Sequence, residues 1–129
     1  MWQWIQSVTV YAVHDKQLAL HGGLGGVRDV NVIESAINRA PDLDASGDPR
    51  PDAADLAAAY LYGLATSHGF SDGNKRTAWV MARLFLAING IELRFTNFDA
   101  IAFMLAVADG AKSEAETAAW IRQRIVASS

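Results

Sequence analysis

The stretch NKRTAWVMARLFLAIN (74–89) constrains the fold more than any other part of this sequence. Its spacing suits a helix, and Gly90 directly after it suits the left-handed residue that often closes one. From Ala78 to Ile88 the helix is apolar nearly all round, with Arg83 the main exception. Such a helix has no broad face to give to water and has to be surrounded by others. It is expected to be the central rod of a bundle.

The rest of the chain supplies the surroundings. Apolar residues at helical spacing predict a helix over 8–20, stopped by Gly22 and Gly23. Asp29 is a suitable N-cap for a helix over 30–40, which Pro41 is expected to end. Residues 41–52, with three prolines and several acidic residues, read as a loop. An Ala- and Leu-rich helix over 53–67 follows, with Tyr60, Leu61, Leu64 and Ala65 as core candidates. Residues 91–95 suit a short extended piece, and Asn97 can cap a helix over 98–108. Ser113 and Glu116 form a capping-box pattern for a last helix over 114–127, whose mixed charges from Glu114 to Arg124 suit a solvated face. No repeat or linker divides the 129 residues, so the reading is one all-α domain, 1–129.

Composition narrows the function. The formal net charge of −3 argues against a generic binder of nucleic acid or of an anionic membrane. The absence of cysteine removes disulfides, thiolate nucleophiles and Cys-ligated zinc, and fits a reducing compartment. The start, MWQWIQS, is not built like a secretory signal, and the most apolar windows are too short to span a bilayer. A soluble, cytoplasmic domain is expected.

The chemistry gathers in HGFSDGNKR (68–76), at the head of the apolar helix. A helix start leaves amides unpaired and carries partial positive charge, so acidic residues are favoured there. This sequence puts Lys75 and Arg76 in the first turn instead. A bound anion reverses the balance, and phosphate between amides, Lys and Arg is a recurrent solution. Gly73 allows close approach of the backbone, and Asn74 can add an amide donor. Asp72 is the one carboxylate of the stretch, suited to Mg²⁺ beside a polyphosphate. His68 could take a proton from an incoming hydroxyl. The set reads as base, metal ligand and anion cradle, the equipment of phosphoryl or nucleotidyl transfer. Each residue also has a plain reading: His68 a helix-end cation, Asp72 an N-cap, Gly73 a turn residue, Lys75 and Arg76 solvated charges, Phe70 a core aromatic.

HGFSDGNKR resembles the signature of the Fic/Doc family, and of its Doc (death-on-curing) branch in particular. Fic members read H-P-F-x-x-G-N-G-R followed by a further Arg; Doc-type members read H-x-F-x-D-(G/A)-N-K-R. Lys75 stands here in place of the Fic glycine, Trp79 in place of the second Fic arginine, and Gly69 in place of the Fic proline. The segments 14–29, 34–39, 58–68 and 85–93 resemble their Doc-type counterparts as well. The resemblance implies an all-α bundle of about six helices. It implies a toxin held by a Phd-like antitoxin encoded beside it. Its activity would be an ATP- and Mg²⁺-dependent protein kinase that phosphorylates a Ser or Thr hydroxyl of the translation machinery, elongation factor Tu above all. Fic enzymes transfer AMP instead; a lysine at the glycine position is held to reverse the nucleotide and present its γ-phosphate. By the same resemblance His68 is the general base and Asp72 the Mg²⁺ ligand. Gly73, Asn74, Lys75 and Arg76 bind the phosphates, and Phe70 is structural. AMP transfer on the same fold, and a catalytically silent antitoxin-binding module, remain as alternatives.

Three features carry less. GGLGGVRD (22–29) lacks the order of a phosphate loop and reads as a turn between helices, in which Arg28 and Asp29 can pair locally. His14 and His21 share one helix with no third ligand nearby, which disfavours a metal site. Trp2 and Trp4 read as packing or partner anchors.

Overall fold

The computed structural model describes residues 1–126 of the chain. Its elements follow in order α1 (Ser7–His21), α2 (Val30–Ser46), α3 (Ala53–Ser67), α4 (Asn74–Ile88), β1 (Glu92–Leu93), α5 (Asn97–Ala108), α6 (Glu114–Arg124) and β2 (Ile125–Val126). Among the described residues the fold is six helices with one two-stranded antiparallel ribbon, β1 against β2. No helix among them is long and apolar enough to cross a membrane.

The hub of the bundle is α3 rather than α4. Every residue from Leu56 to Leu61 is fully buried, which a helix achieves only when neighbours enclose it on all sides. Those neighbours are α2, α4, α5 and α6. After Asp55 the helix carries no charge, and its small residues let partners come close: a Cβ added at Gly63 would stand 3.3 Å from the Ala36 Cβ. Helix α4 is its main partner, with Thr77, Ala78, Met81, Ala82, Phe85 and Leu86 buried. It keeps an edge, however, where Arg83 stays exposed over the rings of Trp79 and Phe95.

Several boundaries differ from the sequence reading. Helix α2 does not stop at Pro41 but runs through it to Ser46. A proline denies one bond to the carbonyl four residues earlier, yet a helix can continue when packing holds both sides. Here Ala40 is fully buried, Leu43 packs on the core, and the Ser46 hydroxyl and Gly47 amide close the last turn. The loop is therefore 47–52. The N-cap of α5 is Thr96, whose hydroxyl accepts from the Asp99 amide at 3.1 Å, and Asn97 is the first helical residue. The last helix ends at Arg124 because Ile125 and Val126 pair as β2 with β1; residue 127 lies outside the described residues. Residues 22–29 do more than turn the chain, as described below.

The N-terminal segment is strapped across the bundle. Asn89 accepts from the Gln3 amide at 2.8 Å and donates to its carbonyl at 3.1 Å. Trp2 and Trp4 pack on Phe85 with centroids 5.8 and 5.7 Å away, so both serve as packing aromatics.

Candidate functional site

The path from α3 to α4 is six residues long and every one has a mechanical reason. His68 closes α3 in the left-handed conformation, φ 53° and ψ 36°. It is the one non-glycine residue with positive φ among the described residues, a conformation that tends to mark functional sites. Gly69 follows where any Cβ would collide with Ile33, which explains why no larger residue stands there. Phe70 is buried and pins the loop: the His14 ring stacks on it at 3.7 Å with planes 10° apart, and Tyr11 meets it edge-on at 5.7 Å. Asn74 then clasps the loop from the far side. Its Oδ1 accepts from the Phe70 amide at 3.1 Å and its Nδ2 donates to the Phe70 carbonyl at 3.0 Å. Expected as an anion donor, Asn74 is thus first a clamp; the amide keeps a second Nδ2 hydrogen.

The glycine-rich segment lies along this loop. Val27 forms an antiparallel bridge with Phe70, the Arg28 and Asp29 amides donate to the Gly69 carbonyl at 2.8 and 3.1 Å, and Ser71 donates to the Gly26 carbonyl at 3.1 Å. Asp29 caps α2 through the Asn31 and Val32 amides rather than pairing with Arg28.

Asp72 sits where both segments meet. Its Oδ1 accepts from the Gly73 amide at 2.8 Å and its Oδ2 from the Leu24 amide at 3.3 Å. These two bonds, Gly73 first, hold its pKa below the usual aspartate value, with further help from the charge of Arg76. Gly23 makes room for it, since a Cβ there would stand 2.7 Å from Oδ2. The plain reading of Asp72 as N-cap does not hold: the N-cap of α4 is Gly73, left-handed at φ 79°.

No side chain caps α4, and its backbone ladder starts only with Thr77 donating to Gly73 at 3.0 Å. The amides of Asn74, Lys75 and Arg76 therefore lack intrahelical acceptors. Among the described residues neither Lys75 nor Arg76 forms an ion pair, and Nη1 of Arg76 is buried without a hydrogen-bond partner. His68, Asp72, Gly73, Asn74, Lys75 and Arg76 all line one cleft of ≈ 340 Å³, together with Ala108 at the end of α5 and Asp109 just after it. A larger groove of ≈ 590 Å³ lies against α2 and α3, but its one cation, Arg39, is already paired with Glu114.

These groups fit an anion with a bound metal. The orphaned guanidinium nitrogen and the free amides ask for an anion, and a single carboxylate suffices for Mg²⁺, which keeps most of its waters. Among the described residues no three His, Asp or Glu side chains are grouped to hold a metal alone, so one here would be shared with the anion. The residues that sequence reading missed are His14 and the backbone of 23–29. His14 was visible as part of the Val10/His14 face of α1, four residues apart, and both are buried.

A helical bundle that brings an imidazole, a carboxylate and an uncapped basic helix start to one cleft, all from a single short loop, defines the class. The Fic/DOC family model matches residues 4–86, more than half of the chain and all of the loop just described. The chain belongs to the Fic/Doc family. It is 44% identical over 72 residues to the protein named Toxin Doc of Mycolicibacterium smegmatis, covering 56% of this chain and 55% of that one. It is 37% identical over 82 residues to the protein named Protein kinase doc of Escherichia phage P1, covering 64% of each. The chain thus spans between half and two thirds of the length of these curated relatives.

Proposed function

We propose that this chain is a Doc-type toxin of a toxin–antitoxin module. In this reading it is an ATP- and Mg²⁺-dependent protein kinase of the cytoplasm, and it phosphorylates a Ser or Thr hydroxyl of the translation machinery, elongation factor Tu being the target that the resemblance suggests. The observation that carries the reading is the uncapped start of α4, which shares one cleft with His68, Asp72 and Arg76, the last with its Nη1 buried and unpartnered. The amides of Asn74 to Arg76 would hold the terminal phosphates, with Lys75 and Arg76 balancing charge. Bound Mg²⁺ would neutralise the phosphate oxygens from the side of Asp72. His68 would take the proton of the target hydroxyl as its oxygen attacks the γ-phosphorus. The bond to the β–γ bridging oxygen breaks, and ADP leaves.

Lys75 supports γ-transfer over AMP transfer. It lines both the cleft and an adjoining apolar pocket of ≈ 220 Å³ formed with Trp79, Ile101 and Met104, and so occupies the wall that glycine would leave open. ATP labelled at the α or the γ position, incubated with a cell extract, tests this. Transfer of γ-label that depends on His68 is expected. Transfer of α-label alone overturns the kinase reading in favour of AMP transfer, and a Lys75→Gly variant that keeps full γ-transfer removes Lys75 as the cause.

The same pocket suggests where the Phd-like antitoxin docks. Phe98, Ile101 and Leu105 are exposed along one side of α5, while Ala100, Phe103, Met104 and Val107 are buried. The stretch 98–107 is thus half core and half open apolar wall, suited to one face of an antitoxin helix. Hydrogen exchange of the complex is expected to show protection on α5; no protection there, with strong binding elsewhere, would sink the assignment.

A further inference from the structure

We infer that His14 is a positioning residue that locks the Asp72–Gly73 peptide and thereby aims the Asp72 carboxylate; the inference rests on the site reading above. That single peptide unit is gripped at both polar ends. Its carbonyl accepts from the Nε2 of His14 at 2.7 Å, and its N–H donates to the Asp72 Oδ1 at 2.8 Å. A carbonyl only accepts, so the shared proton sits on Nε2. The lock matters because Gly73 follows. A glycine crosses freely between positive and negative φ, so the peptide before it turns over more readily than one before any other residue. If the carbonyl were released and the peptide flipped, the N–H would swing away and Asp72 would lose the first of its two backbone holders.

The ring is placed for this and for little else. It is 3% exposed, reaching from α1 across 58 residues of sequence to the loop. Its flat face rests on Phe70 at 3.7 Å, which fixes the plane of the imidazole. Its Cδ2 and Nε2 stand 3.5 Å from where a Cβ of Gly73 would lie, so the ring also backs the left-handed residue itself. Nδ1 lies 3.9 Å from the carboxylate of the exposed Asp15. Packing alone would be served by a phenyl ring; a buried imidazole is tolerated only when paired, and the partner it has here is the loop carbonyl.

Two variants separate the donated bond from the stack. His14→Phe keeps the ring on Phe70 and removes the donor; His14→Gln keeps a donor and removes the ring. Titration calorimetry with MgATP and amide exchange of Gly73 are the readouts, with melting curves to confirm folding. In His14→Phe the Gly73 amide is expected to exchange faster and MgATP to bind roughly tenfold more weakly, the lower end for loss of an outer partner of a metal ligand. His14→Gln is expected to stay close to wild type in both. A folded His14→Phe protein with wild-type exchange and affinity overturns the inference, as does equal impairment of the two variants. On the wild-type protein, an imidazole NMR signature with the proton on Nδ1 and none on Nε2 overturns it without any variant. If the wild type itself does not bind MgATP, the kinase reading fails, and Gly73 exchange still decides the lock.

Discussion

Replacing His68 by alanine is expected to lower transfer to the protein target by a factor on the order of 10² to 10⁴, the usual contribution of a general base. The fold is expected to survive. The His68 side chain is exposed, and none of the bonds that hold the loop runs through it: those belong to Asn74, His14 and the amides of 28 and 29. The backbone gives a sharper form of the test. A side chain at φ 53° carries a steric cost that glycine avoids, about 1–2 kcal/mol, against about 0.5–1 kcal/mol of added chain freedom for glycine. His68→Gly is therefore expected to melt no lower than wild type while activity is lost. A residue kept in a conformation that a smaller one adopts more easily is kept for its side chain. Growth arrest at wild-type strength by well-folded His68→Gly and His68→Ala proteins would remove His68 as the base.

The nine residues of the motif were legible because they are contiguous and because two cations at a helix start break an electrostatic rule that local sequence displays. What escaped was everything whose partner lies far along the chain. The clamp of Asn74 on Phe70 exists only once the loop closes, so its amide could be read from sequence only as a spare donor. The pairing of 26–29 with 69–71 uses backbone groups of a glycine-rich segment, which has few side chains to signal it. His14 reaches Asp72 across 58 residues, and a lone histidine on an amphipathic helix looks the same whether or not it does so. In the fold, the six helices followed from periodicity and caps. The hub did not: α3 shows mostly small alanines where α4 shows large apolar side chains, yet that small volume is what lets four helices close around it. Pro41 misled for the converse reason, because a local rule about donors gave way to tertiary packing on Ala40 and Leu43.

Removing the charge of Asp72 is expected to weaken Mg²⁺-dependent ATP binding by at least about tenfold, the scale on which support of a metal site is lost, with little change in melting. Asp72→Asn is the cleaner variant. The amide oxygen can still accept from one of the Gly73 and Leu24 amides that now bond the two carboxylate oxygens, so the loop keeps a reason to stay in place. An N-cap role would give the opposite pattern, a loss of about 0.5–2 kcal/mol in stability with nucleotide affinity intact on replacement by alanine. The geometry already disfavours that role, because the cap position belongs to Gly73. Dependence on pH adds a second axis. Backbone donors, Gly73 first, hold the Asp72 pKa below its usual value, so the carboxylate is fully charged above the ordinary aspartate range. Its contribution to metal binding is lost only as pH falls through the lowered value, not at the value of a free aspartate. Calorimetric titration with ATP, in Mg²⁺ and in chelator, reads both effects. Wild-type protein should bind more tightly in Mg²⁺ than in chelator down to mildly acidic pH. Asp72→Asn should show a smaller difference between the two buffers than wild type at every pH, because the protein's own carboxylate ligand is gone and the metal keeps only its bonds to ATP. An Asp72→Asn protein that binds ATP with wild-type affinity and wild-type Mg²⁺ dependence would take the metal away from Asp72 and leave its carboxylate as a fastener between the two loops.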